Sequence, residues 1–389
     1  MDPASKAASL ARTQKNPSSI SYATPRYEKL AVQELSATAY IIPTDFPESD
    51  GTFAWDSTTL ILVNVEAGGM SGMGYTYADL GTAELIRRTL APLVTGKNAM
   101  DLPVCWAAMR HGIRNLGRPG ICSMAIAAVD SALWDLKAKL LNLPLAVLLG
   151  SSQTSVEIYG SGGFTSYSME QLRQQLGGWV THGIRAVKMK IGREPSKDAG
   201  RVRAAREAIG PDVALYVDAN GAYSRKQALR MAHEFAEYGV CWLEEPVTSD
   251  DLEGLKLIRD RAPAGMEIAA GEYGYDLGYF RRMLDSGAVD VQQADASRCA
   301  GISDFLRVGA LCEAANMPMS AHTSPSLHLH PCCALSRLRN IEYFHDHVRI
   351  ENMLFDGAIR PKDGRLHPDL SRPGMGLEFK KADAERYAA

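Results

Sequence analysis

The chain has 389 residues, 46% of them apolar and 22% charged, with a net charge of −3. That balance is globular, offers no basic surface for nucleic acid, and includes no apolar run of membrane-spanning length. The length accommodates one large β/α barrel plus a smaller domain, and seven irregularly spaced cysteines point to free thiols in a reducing, cytoplasmic setting.

In chain order, residues 1–26 are rich in Ser, Ala, Lys and Arg and lack the compact apolar segment of a secretory signal. They read as a flexible N-terminal arm, with an amphipathic targeting peptide as the alternative. Residues 27–152 read as an α+β domain. An extended segment at 30–42 leads into a turn-rich loop at 44–51 and a second strand at 58–65. Gly68, Gly69, Gly72 and Gly74 then predict a flexible turn. Apolar residues at helical spacing predict a helix over 123–139, and Pro144 starts a short helix ending at Gly150.

From about residue 153 to 350, short β-type runs alternate with helical segments. Strands are predicted at 156–159, 186–189, 214–217, 241–243, 268–270, 289–292 and 318–321, and helices at 197–209, 225–238, 252–262 and 302–315. Regular alternation of this kind is the mark of a parallel α/β fold of barrel length. Residues 351–389 are rich in Pro and Gly and are expected to pack back on the first domain.

Chemistry falls at the strand ends. Lys188 and Lys190 are followed by Asp218, Glu244, Glu272, Asp295 and His322, at intervals of 23 to 28 residues after Lys190. In a β/α barrel the C-terminal ends of the strands form the active-site face, so residues far apart in sequence converge there. Each signal is weak alone: Lys-x-Lys is commonly a solvated pair, Asp218 could be a cap, and Glu272 could be a surface acid. Residues two apart on a strand share a face, which aims both lysines into the mouth. Asp218, Glu244 and Glu272, from three successive strands, make an all-oxygen set suited to Mg²⁺ rather than zinc. Asp295 precedes His322 by one strand and can fix its tautomer. Glu342 occupies the next strand position and, if protonated, could donate to a substrate carboxylate.

This order of residues resembles the mandelate racemase branch of the enolase superfamily, over roughly 27–378. The resemblance implies a modified TIM barrel of (β/α)7β type, with an α+β capping domain built from the N-terminal region and the C-terminal segment. It implies Lys190 as the base on one substrate face and His322, oriented by Asp295, as acid/base on the other. Lys188 would sit beside Lys190 and lower its pKa, and Glu342 would contact the carboxylate or enediolate. Asp218, Glu244 and Glu272 would hold Mg²⁺, and Asn220 would contact substrate. The substrate would be a small carboxylate, most commonly a sugar acid, dehydrated to a 2-keto-3-deoxy acid. Racemisation or epimerisation of a 2-hydroxy acid, sugar-lactone cycloisomerisation and a non-catalytic binding role are the alternatives. Relatives of this kind are commonly homo-oligomers. Capping loops at 44–53 and 72–79 are expected to close the mouth, with Glu48, Ser49, Asp50, Tyr75 and Tyr77 as substrate contacts or, equally, solvated loop residues.

Two clusters are discounted. His328, His330, Cys332 and Cys333 fit no zinc spacing and read as the neighbourhood of a helix beginning after Pro331. Gly160, Gly162 and Gly163 lack the pattern of a dinucleotide loop and read as the end of the first barrel strand.

Overall fold

A computed structural model describes residues 30–389; the expected arm at 1–26 lies outside the described residues. The chain opens with a three-stranded antiparallel meander: β1 (Glu34–Ser49), β2 (Ala54–Ala67) and β3 (Met70–Tyr77). β1 runs further than its composition suggests, because residues 44–47 form a bulge rather than a loop. Pairing proceeds from Glu34↔Glu66 to Pro43↔Ser57 and resumes at Glu48↔Trp55.

The glycine-rich stretch divides into two roles. Gly68 and Gly69, at φ 61° and 75°, make the turn between β2 and β3. Gly72 and Gly74 lie inside β3. There a Cβ would come 2.4 Å from the Ala132 carbonyl oxygen at Gly72 and 2.2 Å from that of Ala128 at Gly74. The expectation of a flexible turn through Gly74 is therefore corrected: these two glycines let the helix Ile121–Leu140 lie directly on the sheet.

That helix carries two buried carboxylates. Asp135 accepts from Met73 N at 2.8 Å and Met375 N at 2.7 Å, and pairs with Lys139 at 2.7 Å. It thereby ties β3 to the C-terminal segment. Asp130 accepts from the backbone and side chain of Ser303, at 2.9 and 2.7 Å, at the start of the barrel helix Ile302–Ala314. Burial pushes the Asp130 carboxyl up to about 7.

Eight parallel strands form the barrel: β4 (Val156–Gly162), β5 (Ala186–Lys190), β6 (Ala214–Asp218), β7 (Val240–Glu244), β8 (Glu267–Ala270), β9 (Val291–Ala294), β10 (Met319–Ala321) and β11 (Leu338–Phe344). They pair in chain order, and β11 pairs with β4 to close the ring. A helix follows each of the first seven strands. The one after β10, Pro325–Cys333, contains Pro331 instead of starting beyond it, which corrects the expected helix start. Its Pro sits at the first turn, where a missing N–H costs nothing, in the person of Pro325. The helix His345–Leu354 follows β11 without a loop and leads into the C-terminal segment.

The C-terminal segment touches both parts of the molecule. Arg365–Leu366 adds antiparallel to β4, Gly374 exchanges backbone hydrogen bonds with Leu143 and Leu145, and Phe379 packs on Tyr40 of β1. No helix among the described residues is long and apolar enough to cross a membrane.

Candidate active site

The strand ends converge as barrel geometry requires. Asp218 and Glu244 are the last residues of β6 and β7, and Glu272 follows β8 after Gly271. One ligand oxygen from each of the three lies within 4.8 Å of the others, and all three residues are buried. Gly271 makes this possible. Its φ is 138°, and a Cβ there would meet the Gln293 carbonyl oxygen at 2.1 Å. Burial and the neighbouring Asp218 push the Glu244 carboxyl up to about 8, the response of carboxylates packed closer than their own charges favour. Glu272 Oε2 has no hydrogen-bond partner among the described residues. Buried acidic oxygens, one of them unsatisfied, fit a hard divalent cation.

Two lysines stand against this triad. Lys190 Nζ lies 2.5 Å from Asp218, and Lys188 Nζ lies 2.5 Å from Glu244, 2.8 Å from Glu342 and 3.4 Å from Asp218. Burial works to lower the Lys190 pKa, and the charge of Lys188 lowers it further, as the sequence suggested. The surrounding carboxylates, Asp218 foremost with Glu272 and Glu342, together outweigh both, and the net direction is upward. Lys188 also rises, because Glu244 and Glu342 outweigh its burial.

On the far flank, His322 follows β10. Its Nδ1 is 2.8 Å from Asp295 Oδ2, and its Nε2 is 3.3 Å from Glu272 and 3.6 Å from Glu342. Asp295 Oδ1 accepts from the Ser297 N–H and hydroxyl, each at 2.7 Å. Burial would raise the Asp295 carboxyl, but the His322 hydrogen bond and nearby positive groups hold it below the usual carboxylate range. In ring order β5 and β10 stand on either side of the β6–β8 arc, so Lys190 and His322 approach the triad from different sides.

Lys190, Asn220, Glu272, His322 and Glu342 line one cavity of about 500 Å³, roofed by residues of both expected capping segments, among them Asp50, Phe53 and Tyr77. Lys188 is fully buried beneath it. Backbone strain marks the same rim: Asn220, Glu245, Thr323 and Ser324 have φ values of 45°, 38°, 51° and 40°. Gly51 seats the capping loop on the strand ends, since a Cβ there would lie 2.4 Å from the Ala219 oxygen and 2.7 Å from that of Ile191.

Three expectations about individual residues are corrected. Glu342 is not placed to donate as a neutral acid. It accepts from Ser161, Lys188 and the Thr323 N–H, and although burial would raise its pKa, Lys188, His322 and Lys190 together hold it well below the usual range. Tyr75 is fully buried beneath the roof, donates to Glu351 at 2.7 Å and stacks on Phe355, so it reaches no substrate. Glu48 is 1% exposed and accepts from Trp55 Nε1 at 2.8 Å; burial, with Asp346 nearby, pushes its carboxyl up to about 9. Tyr75 and Tyr77 share a face of β3, so depth along the strand separates them: Tyr77, the last residue of β3, lines the cavity, and Tyr75 lies beneath it.

Trp55, Tyr273, Arg298 and Phe344, which no sequence motif singled out, also line the cavity, as does His347. Arg298 Nη1 lies 3.6 Å from Glu272, and its Nε lies 3.7 Å from Asp295. Its position three residues after Asp295, in the loop beyond a strand end, was the available signal. The discounted His328 is structural: its Nε2 accepts from the Ala296 N–H at 2.8 Å. His330 Nδ1 likewise accepts from the Ala146 N–H, at 3.1 Å.

Comparison with known proteins agrees with this geometry. Residues 43–150 match the mandelate racemase / muconate lactonizing enzyme N-terminal domain, and residues 171–384 match the enolase C-terminal domain-like family. A mandelate racemase/muconate lactonizing enzyme-like protein from Rubrobacter xylanophilus superposes with a TM-score of 0.91 at 54% identity, covering 92% of this chain and all of that one. L-Talarate dehydratase from Polaromonas sp., solved with Mg and L-glucarate, superposes with a TM-score of 0.84 at 30% identity, covering 92% of this chain and 97% of that one. The 3,6-anhydro-alpha-L-galactonate cycloisomerase of Streptomyces coelicolor is 31% identical over 364 residues, 90% of this chain and 98% of its own.

Proposed function

The chain belongs to the mandelate racemase / muconate lactonizing enzyme family of the enolase superfamily, and from that premise we propose that it is a Mg²⁺-dependent acid-sugar dehydratase. The observation that carries the reading is the single cavity in which Lys190 and the Asp295-oriented His322 flank a buried carboxylate triad. Asp218, Glu244 and Glu272 would hold the cation, whose chemistry is to stabilise the negative charge that develops on the substrate carboxylate.

Lys190, once its ammonium has lost a proton, takes the proton alpha to that carboxylate. The C–H electron pair moves into the carboxylate to give an enediolate. His322, as imidazolium, gives a proton to the hydroxyl on the next carbon; the C–O bond breaks and water leaves. The resulting enol becomes a 2-keto-3-deoxy acid. Asp295 positions the imidazole through Nδ1, leaving Nε2 toward the cavity. Lys188, fully buried, adds positive charge beside Lys190, and Asn220 and Arg298, which line the cavity, would meet substrate oxygens. The seven free cysteines support a cytoplasmic setting.

A second reading is favoured by the cycloisomerase that matches this chain along almost its whole length. There the same abstraction of the alpha proton would give the enediolate, after which the C–O bond to the ring oxygen on the next carbon would break, with His322 giving that oxygen a proton, so the ring opens and no water is lost. Incubating the enzyme and Mg²⁺ with a panel of mono- and diacid sugars and their lactones separates the two. A 2-keto acid product supports dehydration. Consumption of a lactone or anhydro sugar without loss of water supports cycloisomerisation. Absence of product and of alpha-proton exchange in D₂O across the panel would count against both.

A further inference from the structure

A second group of donors lies away from the triad, where the capping sheet meets the barrel. The β1 bulge presents Asp45, and pairing resumes at Glu48. His345 begins the helix directly after β11. One carboxylate oxygen from each acid and a ring nitrogen of His345 lie within 4.8 Å of one another.

The pairings here are incomplete. His345 Nε2 lies 2.9 Å from Asp45 Oδ2 and 3.2 Å from Oδ1. Glu48 is 1% exposed; its Oε2 accepts from Trp55 Nε1, and its Oε1 has no partner among the described residues. The neighbouring charges are already committed. Arg349 is paired with Asp346 at 2.6 Å and donates to the Pro43 oxygen at 2.7 Å, and Asp346 also accepts from the Thr58 hydroxyl. A buried carboxylate oxygen facing a second carboxylate, with no arginine or lysine to spare among the described residues, is a place for a cation.

We propose that Asp45, Glu48 and His345 form a second divalent-cation site, distinct from the 218/244/272 triad and selective for a borderline transition ion such as Zn²⁺. Two oxygens and an imidazole nitrogen suit such an ion better than Mg²⁺, which favours all-oxygen sets. Tetrahedral ligands each about 2.1 Å from one ion sit roughly 3.4 Å apart, and His345 and Asp45 stand close to that spacing at 2.9 and 3.2 Å. Three protein ligands leave a fourth position for water.

Occupancy would pin the β1 bulge to the barrel. Trp55, bonded to Glu48, and Phe344, one residue before His345, both line the active-site cavity. The ion would therefore set the stiffness of the cavity wall while touching no substrate.

The test is Zn²⁺ binding by equilibrium dialysis with metal analysis, on full-length protein in excess Mg²⁺. It is run on wild type, Glu244→Gln to disable the triad, and Glu244→Gln combined with His345→Asn or with Asp45→Asn. The expected result is one Zn²⁺ retained by Glu244→Gln and weakened at least about tenfold by each added substitution, with far-UV spectra and melting temperature confirming the fold. Asp45 and His345 are partly exposed, so at least one of these variants keeps its structure. Zinc lost in Glu244→Gln alone, or retained undiminished in a folded double variant, would overturn the proposal.

Discussion

Replacing Asp295 by Asn keeps the side chain's shape and removes one charge, and the structure allows the consequence to be worked out. Asp295 is 1% exposed and acts only as an acceptor, toward Ser297 with one oxygen and His322 with the other. Asn has a single acceptor. If its oxygen stays with Ser297, its amide faces His322 Nδ1, which must then accept, and the ring proton moves to Nε2. If it flips, two donors face each other at Ser297. Losing a hydrogen bond to a charged group costs about 1.5–3 kcal/mol. At 1.4 kcal/mol per decade, kcat should fall roughly 10- to 150-fold. Mg²⁺ affinity should hardly change, because Asp295 is not among the triad. The assay is turnover on the substrate found by screening, together with isothermal titration of Mg²⁺. A cycle with His322→Asn supplies the decisive comparison. Since Asp295 is argued to act through His322, the double variant should be no slower than His322→Asn alone. Losses that multiply across the cycle would refute the reasoning and give Asp295 a role of its own.

Asp218→Asn, Glu244→Gln and Glu272→Gln should each weaken Mg²⁺ at least tenfold, on the order expected for losing one ligand of three, as read by titration calorimetry. Asp130 predicts a pH dependence of stability. Its folded pKa of about 7 lies above the ordinary aspartate value of 3.8, so the protonated form favours the fold. That stability is complete below about pH 4, declines as pH rises toward 7, and amounts to about 4 kcal/mol at 1.36 kcal/mol per unit. Urea midpoints at pH 5 and pH 8 should differ less in Asp130→Asn than in wild type; an equal difference would discount the carboxyl. Tyr77→Phe should raise KM, because Tyr77 lines the cavity, whereas Tyr75→Phe should lower the melting temperature and leave KM alone. A KM effect confined to Tyr75→Phe would reverse that assignment.

The barrel was legible because each unit repeats the same physics: a short buried strand, then a helix, with the polar residue placed where the strand runs out. Lys190, Asp218, Glu244 and His322 stood out for that reason. The capping region was less legible, since glycine serves opposite ends. Gly68 supplies a turn, whereas Gly74 brings a helix onto a strand, and only the partner helix tells them apart. Glu48 was misjudged because alternation in an irregular strand cannot be phased without the bulge at 44–47, and Tyr75 because it shares a face with Tyr77, so that only depth along β3 tells the buried ring from the one at the cavity. The ionisation of Glu342 escaped for a similar reason: it depends on Lys188, 154 positions away in the chain yet 2.8 Å away in space.

Asp135 carries a consequence for how the molecule is assembled. Its two oxygens clasp Met73, made early, and Met375, made more than two hundred residues later. During synthesis the capping sheet and its helix must wait with this carboxylate half-engaged until the barrel between them is complete. A fragment ending near residue 152 would lack both the Met375 clasp and the Ser303 contacts of Asp130, so the cap should be unable to fold as an independent piece; a cooperative melt from that fragment would show otherwise.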